Sequence, residues 1–245
     1  MSHSPAGTHP SSSSAAAGGI PHQIGCRHGV HDRTLFRTDA KGSSWCCWLT
    51  VAAANSSKDG IFTKPHAWRH VAQRARGMFA YPLSDHVTEM NALVAYKTAR
   101  DPMGPRLDTN KWCEKHFINR RAAEEALTVK NLLEQWWRRT LGEGKHIPTT
   151  PLDNRLFDSR MRQALAQAFF FNSAVRDRGS TLYYAVRDNK PYTLDPYSVL
   201  NGILPDWVVC SRVFSSSRPY LVRCTAINVE HVMVSLAAHL LKKPT

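Results

Sequence analysis

The chain has 245 residues, with 32 Lys and Arg residues against 19 Asp and Glu residues, so its formal net charge is +13. A hydrophobic content of 42% is enough to bury a core, which excludes a wholly disordered chain. The longest apolar stretch, 45–54, is about half of the ~20 residues that a membrane-spanning helix needs, and we predict no such helix. The excess of cations favours an acidic partner. Nucleic acid is the simplest, although an anionic membrane surface or a solvated basic face would give the same charge.

Residues 1–73 differ in composition from the rest of the chain. A run of Ser, Ala and Gly at 11–19 has no apolar period, and residues 20–76 are rich in His and basic groups and contain only three acids. No helix or strand pattern lasts there for more than a few residues, so we predict a low-complexity, disordered arm. Residues 1–26 contain neither Arg nor Lys, which argues against an organelle transit peptide.

Helical patterns occupy the middle of the chain. The first helix begins behind Ser84, a suitable N-cap, and ends where Pro and Gly residues occur at 102–105. A short helical turn follows around 112–117. The strongest pattern is 121–141, where one apolar stripe runs along the helix and a glycine follows its last residue. A further helix is predicted for 154–175.

The apolar period shifts from 3.6 to about 2 after Gly179, which predicts strands. They are expected at 182–187, 192–194, 207–214 and 220–227. An apolar helix capped by Asn228 closes the chain at 229–240. Helices followed by several short strands and a terminal helix predict an α+β fold with a small barrel.

Sequence motifs for nucleotide hydrolysis and nucleophilic catalysis are missing. Gly142, Gly144 and Lys145 resemble a phosphate-binding loop, but Arg139 and His146 stand where that loop needs Gly and Ser or Thr. No G-x-S-x-G sequence occurs. We therefore predict no catalytic residue, no cofactor and no intrinsic ATP hydrolysis.

Metal-binding residue types cluster in the predicted arm: Cys26, His28, His31, Cys46 and Cys47. Their spacing does not match that of zinc sites, and we predict no metal site. Six cysteines without paired spacing fit a reducing compartment. The three later ones lie among Trp, Val and Thr and are predicted to be small core residues: Cys113, Cys210 and Cys224.

Cations, rings and hydroxyls alternate along the predicted strands. The pattern runs through Tyr183, Arg187, Lys190, Tyr192, Arg212, residues 215–218, Tyr220 and Arg223. An oligonucleotide-binding barrel stacks bases on such rings and pairs phosphates with Arg and Ser. The pattern is equally compatible with half-buried tyrosines and charges that only solvate the outer face.

Several motifs at these residues resemble the C-terminal region of the DEAH-box (DEAH/RHA) RNA helicases. In the helical part, residues 84–91, 112–119 and 121–133 resemble the family's G-D-H-L-T-x-x-N, W-C-x-x-x-F-[IL]-N and R-A-x-x-x-A-x-x-[VI]-R-x-Q-L. In the strand part, residues 194–200, 205–209 and 220–227 resemble L-H-P-S-S-V-L, P-E-W-V-[VL] and Y-x-R-x-[VC]-T-x-I. The resemblance covers about 74–240 and leaves 1–73 without a counterpart.

The resemblance implies a domain organisation and a function. It implies a helicase-associated helical segment at 74–175 and an oligonucleotide/oligosaccharide-binding (OB) fold at 176–245. In the family these domains lie over two RecA-like ATPase domains, hold single-stranded RNA and offer a surface to activator proteins. The expected partners are RNA, helicase-activating proteins or a separate helicase core. ATP is expected to bind only to that helicase core and not to this chain. The family's commonest location is the nucleus, with the cytoplasm as the alternative, and no membrane association is expected.

The resemblance also implies RNA contacts at residues 216–223, which match a strand-loop-strand that touches RNA in the family. Together with the cations of the preceding hairpin, the predicted RNA-binding residues are Ser216, Ser217, Arg218, Tyr220, Arg223, Arg187 and Lys190.

Departures from the family pattern leave alternatives open. Asp195 replaces the motif His, the loop at 215–219 is a residue longer, and Arg223 stands one place later than the family Arg. The chain also has neither a P-loop nor a D-E-A-H sequence. A splicing-type or ribosome-biogenesis-type helicase module is the main hypothesis. The alternatives are a non-catalytic protein-interaction adaptor and a truncated helicase fragment without independent function.

Overall fold

A computed structural model of the chain describes residues 46–57, 60–103, 108–141, 156–215 and 217–234. Predictions for 1–45, for the Gly and Pro at 104–105, for 142–155, for Ser216 and for 235–240 lie outside these residues. Within the described ranges, no helix is both long enough and apolar enough to cross a membrane.

Six helices precede the barrel in the described part of the chain. They are α1 (Cys46–Ala54), α2 (Arg69–Gly77), α3 (Asp85–Arg100), α4 (Thr109–His116), α5 (Arg120–Leu141) and α6 (Phe157–Phe169). The centre of the helical part is α3, whose Leu93 and Tyr96 are fully buried among residues from α1, α4 and α5. Tyr96 donates its hydroxyl to Glu124 of α5, so its one polar atom is satisfied.

The predicted start of α3 is confirmed. Ser84 has extended backbone angles, and its Oγ accepts the N–H of Val87 at 3.2 Å, which satisfies one of the unpaired donors of the first turn. The predicted stripe of α5 is buried only in its first half. Ala126 is fully buried, whereas Leu132 and Trp136 are each 59% exposed.

The arm predicted over 1–73 ends earlier than expected. Val51, Ala53 and Ala54 of α1 are buried in the core, and Ile61 and Phe62 belong to the same core as α3. This part of the prediction is wrong for the described residues between 46 and 73. The reason is that α1 and 60–62 are too short to show a period, and they are ordered by packing against α3 and α5 rather than by local pattern.

Five strands form a closed barrel: β1 (Ser173–Arg176), β2 (Tyr183–Ala185), β3 (Pro191–Leu194), β4 (Trp207–Phe214) and β5 (Tyr220–Ala226). Their order around the barrel is β1-β2-β3-β5-β4, and every pair is antiparallel except β3 with β5. Tyr183, Leu200, Val208 and Leu221 are fully buried in its interior. The predicted α+β fold with a barrel is confirmed.

The helix predicted over 154–175 is shorter than expected. It ends at Phe169, a 3-10 turn covers Phe170–Asn172, and β1 follows. Ala174 pairs with both Ala185 of β2 and Val208 of β4, so this segment closes the barrel. The pairing of β1 with β2 and with β4 stabilises a strand here, although the spacing of the apolar residues favours a helix. The predicted terminal helix begins in the structure, where residues 229–234 are helical.

The helical part and the barrel share buried residues. Phe157, Met161 and Leu165 of α6 pack with Val87 of α3 and with Val209 of β4. Because this cluster draws on both parts, the first turns of α3 are held directly against the barrel.

Candidate nucleic-acid interface

Two hairpin loops lie together at one end of the barrel. Residues 186–190 join β2 to β3, and residues 215–219 join β4 to β5. Because β3 and β5 are neighbouring parallel strands, both begin at the same end, where the two loops therefore meet. The N–H of Thr193 donates to the carbonyl of Pro219 at 3.2 Å and ties the second loop to β3. We call these two loops the hairpin end.

A pair of stacked rings stands at the hairpin end. Phe214 and Tyr220 face each other across β4 and β5, with ring centroids 4.9 Å apart and planes inclined by 24°. Phe214 is 44% exposed, so one ring is open to solvent. Burial and then the negative charge of Asp195 raise the pKa of Tyr220, which keeps its hydroxyl neutral near neutral pH.

The sequence analysis identified Tyr220 and missed Phe214. Phe214 ends the predicted strand 207–214, and Tyr220 follows a loop of five residues. Two residues in these positions face each other in a hairpin, so the sequence alone indicated this pairing.

Most of the sequence-predicted RNA-binding residues come together here. Ser217 and Arg218 are exposed on one loop, and Arg187 and Lys190 are exposed on the other. Asp188, on the same loop as Arg187 and Lys190, accepts the N–H of Lys190 and the hydroxyl of Tyr192, both at 3.2 Å. Its carboxylate also lies 3.8 Å from Nη2 of Arg187, so this guanidinium has an acidic neighbour. The described part of the hairpin end therefore combines cations, a hydroxyl and open aromatic surface.

Arg223 does not belong to this surface, and its predicted RNA contact is contradicted. Its residue is only 5% exposed, and its Nε donates to Glu89 Oε1 at 3.1 Å. Nη1 and Nη2 donate to the carbonyls of Asn55 and Ser57 at 2.9 and 2.5 Å, just beyond the end of α1. Arg223 therefore satisfies two carbonyls of the segment that follows α1. Gly60 lies so close that an added Cβ would stand 3.2 Å from Nη2.

The backbone of β5 explains where Arg223 points. Its φ is +54°, a left-handed value that is uncommon for a residue with a side chain. The β4–β5 pairing continues on both sides of it, at Arg212 with Val222 and at Cys210 with Cys224. The local turn of the backbone directs the guanidinium out of the ladder and towards α1 and α3.

The motif residue Asp85 fastens α3 to the barrel. Its carboxylate is 1% exposed and accepts four hydrogen bonds. The donors are Arg76 Nη2 at 3.1 Å, Ser198 Oγ at 2.7 Å, and the N–H groups of Val199 and Cys224 at 2.9 Å each. Three of these donors come from the barrel, so Asp85 joins two separate motifs of the sequence into one buried network.

His86 makes the neighbouring connection. Its Nδ1 and Nε2 are hydrogen bonded to Thr225 Oγ1 and Ser211 Oγ, both at 2.8 Å, and its ring stacks on Phe169 with centroids 5.8 Å apart. Complete burial, followed by the positive charge of Arg223, lowers the pKa of His86 to about 3. The imidazole is therefore neutral and structural.

Asp195, the residue that replaces the family His, is also internal. It is 4% exposed, forms an ion pair with Lys64 and accepts the N–H of Tyr197 at 2.9 Å. The hydroxyl of Tyr197 donates to the carbonyl of Pro65 at 3.1 Å. The substitution is thus matched by residues of the segment that precedes α2.

The later cysteines behave as predicted, because Cys113, Cys210 and Cys224 are free and buried. Burial raises the pKa of the Cys210 thiol to about 12, so it stays protonated. No group of three or more His, Cys, Asp or Glu side chains within the described ranges is placed to hold a metal ion.

Comparisons with known proteins point to one family. A family model described as an oligonucleotide/oligosaccharide-binding (OB) fold matches residues 161–240, which include the barrel. A stretch of 172 residues, 70% of this chain, is 27% identical to the pre-mRNA-splicing factor ATP-dependent RNA helicase prp22 of Schizosaccharomyces pombe. The resemblance to the C-terminal region of DEAH-box RNA helicases is confirmed. The matched stretch covers 14% of that relative's length.

The structure adds a physical meaning to the motifs of the helicase C-terminal region. Asp85 and His86 of the first motif meet Ser198 of a second and Thr225 of a third. These motif residues form the contact between α3 and the barrel. Ser217, Arg218, Arg187 and Lys190 of the hairpin end, by contrast, are exposed to solvent.

Proposed function

We propose that the chain is an RNA-binding and partner-docking module of a splicing-type or ribosome-biogenesis-type DEAH-box helicase. Single-stranded RNA binds at the hairpin end. Bases stack on the Phe214–Tyr220 pair, phosphates contact Arg218, Arg187 and Lys190, and the Ser217 hydroxyl donates a hydrogen bond. ATP hydrolysis belongs to a helicase core and is not assigned to these residues. The proposed location is the nucleus, with the cytoplasm as the alternative.

The observation that carries the RNA proposal is the open ring stack beside exposed cations. Phe214 and Tyr220 lie 4.9 Å apart at the root of the loop that carries Ser217 and Arg218. A face of this kind binds a single strand without reading its sequence, because every base has a surface that stacks on a ring. Ser216 belongs to the same loop, and its RNA contact stays a prediction.

Fluorescence anisotropy of the full chain with a labelled single-stranded RNA tests the proposal. We expect saturable binding whose affinity falls as salt rises, because cations that contact phosphates release counterions. Phe214→Ala and Tyr220→Ala should each weaken binding by about 1–3 kcal/mol. Ile203→Ala is the matched control, since Ile203 is 56% exposed on the barrel but lies outside both hairpins.

The adaptor alternative makes a different prediction for the same titration. A folded chain that shows no saturable RNA binding would overturn the RNA proposal and leave partner docking as its function. The departures at Asp195 and Arg223 do not distinguish the two functions, because both side chains are engaged inside the protein.

A further inference from the structure

An exposed apolar stripe runs along the outer flank of α2. Trp68, Val71 and Met78 are 64%, 49% and 71% exposed, and the half-buried Ala75 lies between them. Trp68 is the N-cap and Met78 the C-cap of α2, so the spacing of i, i+3, i+7 and i+10 covers the full length of the helix and places the four residues on one side. Single exposed apolar residues are ordinary on a protein surface, whereas a contiguous row marks an interaction site. We call these four residues the α2 stripe.

The α2 stripe stands on a firmly held helix. Ala72, on the inner side of α2, is 2% exposed, and the guanidinium of Arg76 lies 4.8 Å from the centre of the Phe62 ring. On another side, Gln73 Nε2 donates to the carbonyl of Pro196 in the barrel at 2.8 Å. A surface that is ordered in advance costs a partner little conformational entropy on binding.

The segment that carries the α2 stripe is basic. Residues 60–84 contain neither Asp nor Glu. His70 and Arg74 are exposed on α2 next to the stripe. The complementary ligand therefore presents carboxylates beside its own apolar residues.

We propose that the α2 stripe docks an acidic amphipathic helix of a protein partner. Its apolar side packs on Trp68, Val71 and Met78, and its carboxylates lie opposite His70 and Arg74. A nucleic acid matches this surface less well, because Val71 and Met78 offer no ring for a base to stack on. The inference rests on the partner-docking part of the proposed function and is independent of RNA binding at the hairpin end.

The test measures the binding of a fluorescein-labelled synthetic peptide to the full chain by anisotropy. The probe is a helix of about 20 residues with Leu at i, i+3 and i+7 spacing and Glu on its other face. The control peptide has the same composition in scrambled order, so its charge is identical. We expect the amphipathic peptide to bind at least about tenfold more tightly than the scrambled one, because only it matches the row of apolar side chains.

Charge-neutral variants locate the binding surface. Trp68→Ser and Met78→Ser should each weaken peptide binding by about tenfold, since both side chains lie in the proposed contact. Met103→Ser is the matched control, because Met103 is 94% exposed and lies outside the stripe. All three variants should keep the affinity of the wild-type chain for RNA, which separates this inference from the hairpin-end proposal.

Three results would overturn the docking inference. Equal affinity for the ordered and scrambled peptides would show attraction by charge alone. Unchanged peptide binding in Trp68→Ser would place the contact elsewhere. Loss of RNA affinity in Trp68→Ser, with peptide binding kept, would make the stripe a nucleic-acid surface.

Discussion

Asp85 accepts the backbone N–H of Cys224 at 2.9 Å, although the two residues are 139 positions apart in the chain. Cys224 lies one position after Arg223, whose left-handed backbone interrupts the regular ladder of β5. β3 pairs with β5 at Tyr220 and Leu221 and does not extend to Cys224, whose N–H meets a carboxylate from α3 instead. One hydrogen bond thus joins the helical part to the barrel where the strand departs from regular geometry.

Replacing Asp85 by Asn should destabilise the protein strongly. The substitution leaves Arg76 buried without its ion-pair partner and places an amide N–H₂ group among donors from Ser198 and Cys224. Breaking a buried pair on one side costs about 3–5 kcal/mol. Urea unfolding followed by circular dichroism measures the loss. Asp101→Asn, at an exposed carboxylate after α3, should change the stability by less than about 0.5 kcal/mol.

The neutral His86 predicts a pH dependence of stability. Its folded pKa of about 3 lies below the unfolded value of about 6.5, so between these values only the unfolded chain binds the proton. The contribution of His86 is fully present above pH 6.5 and is lost as the pH falls towards 3. The slope approaches about 1.4 kcal/mol per pH unit.

Urea unfolding at several pH values between about 7 and 4 checks this dependence. His and carboxyl side chains both titrate within roughly this pH range. His86→Gln removes the titrating group and should flatten the curve relative to wild type, even though the variant is less stable overall. His66→Gln, at an exposed histidine, should keep the wild-type slope. An unchanged slope in His86→Gln would mean that other groups carry the pH dependence.

Arg223 and Arg218 should give opposite phenotypes. Arg223→Ala leaves Glu89 buried without its partner and should cost about 3–5 kcal/mol of stability, with the RNA affinity of the folded protein unchanged. Arg218→Ala, at an exposed loop position, should leave stability within about 0.5 kcal/mol of wild type.

RNA titrations over a salt series complete this comparison. Arg218→Ala should reduce the slope of log affinity against log salt by about one, since one phosphate contact is lost. Arg178→Ala is its control, because Arg178 is exposed after β1 at the other end of the barrel. Equal losses of affinity in Arg218→Ala and Arg178→Ala would show general attraction rather than a site.

Phe62 tests whether the segment before α2 belongs to the fold. Its ring is 4% exposed and lies 5.9 Å from that of Phe79. Phe62→Ala should lower the free energy of unfolding by about 3–5 kcal/mol, whereas a disordered arm would tolerate the change. His66→Ala, at an exposed position of the same segment, should be close to neutral. Chemical denaturation of the two variants measures both effects.

Local signals in the sequence predicted several elements well. Ser84 before an apolar period marked the start of α3, and the strand predicted at 207–214 coincides with the observed bounds of β4. The RNA-binding hypothesis also located the exposed loop residues Ser217 and Arg218. These features depend on neighbours within a few positions, so a short stretch of sequence is sufficient to show them.

Sequence analysis did not predict other elements, because the residues that stabilise them belong to other segments of the chain. The strand β1 has helical spacing but pairs with both β2 and β4, and α1 is held by α3 and α5. Arg223 looked like a phosphate ligand because it follows a basic and aromatic pattern. No local rule shows that its backbone turns inward.

The sequence by itself determined the fold class, most helices and strands, and the resemblance to the C-terminal region of a helicase family. Periodicity, caps and motif strings are properties of contiguous residues. Only the tertiary structure decided which motif residues face inward. Glu89 pairs with Arg223 across 134 positions, and Lys64 pairs with Asp195 across 131. Such contacts form because burying a charge without a partner is costly, and the partner is set by the tertiary fold. Local sequence spacing does not indicate pairs of residues that lie so far apart in the chain.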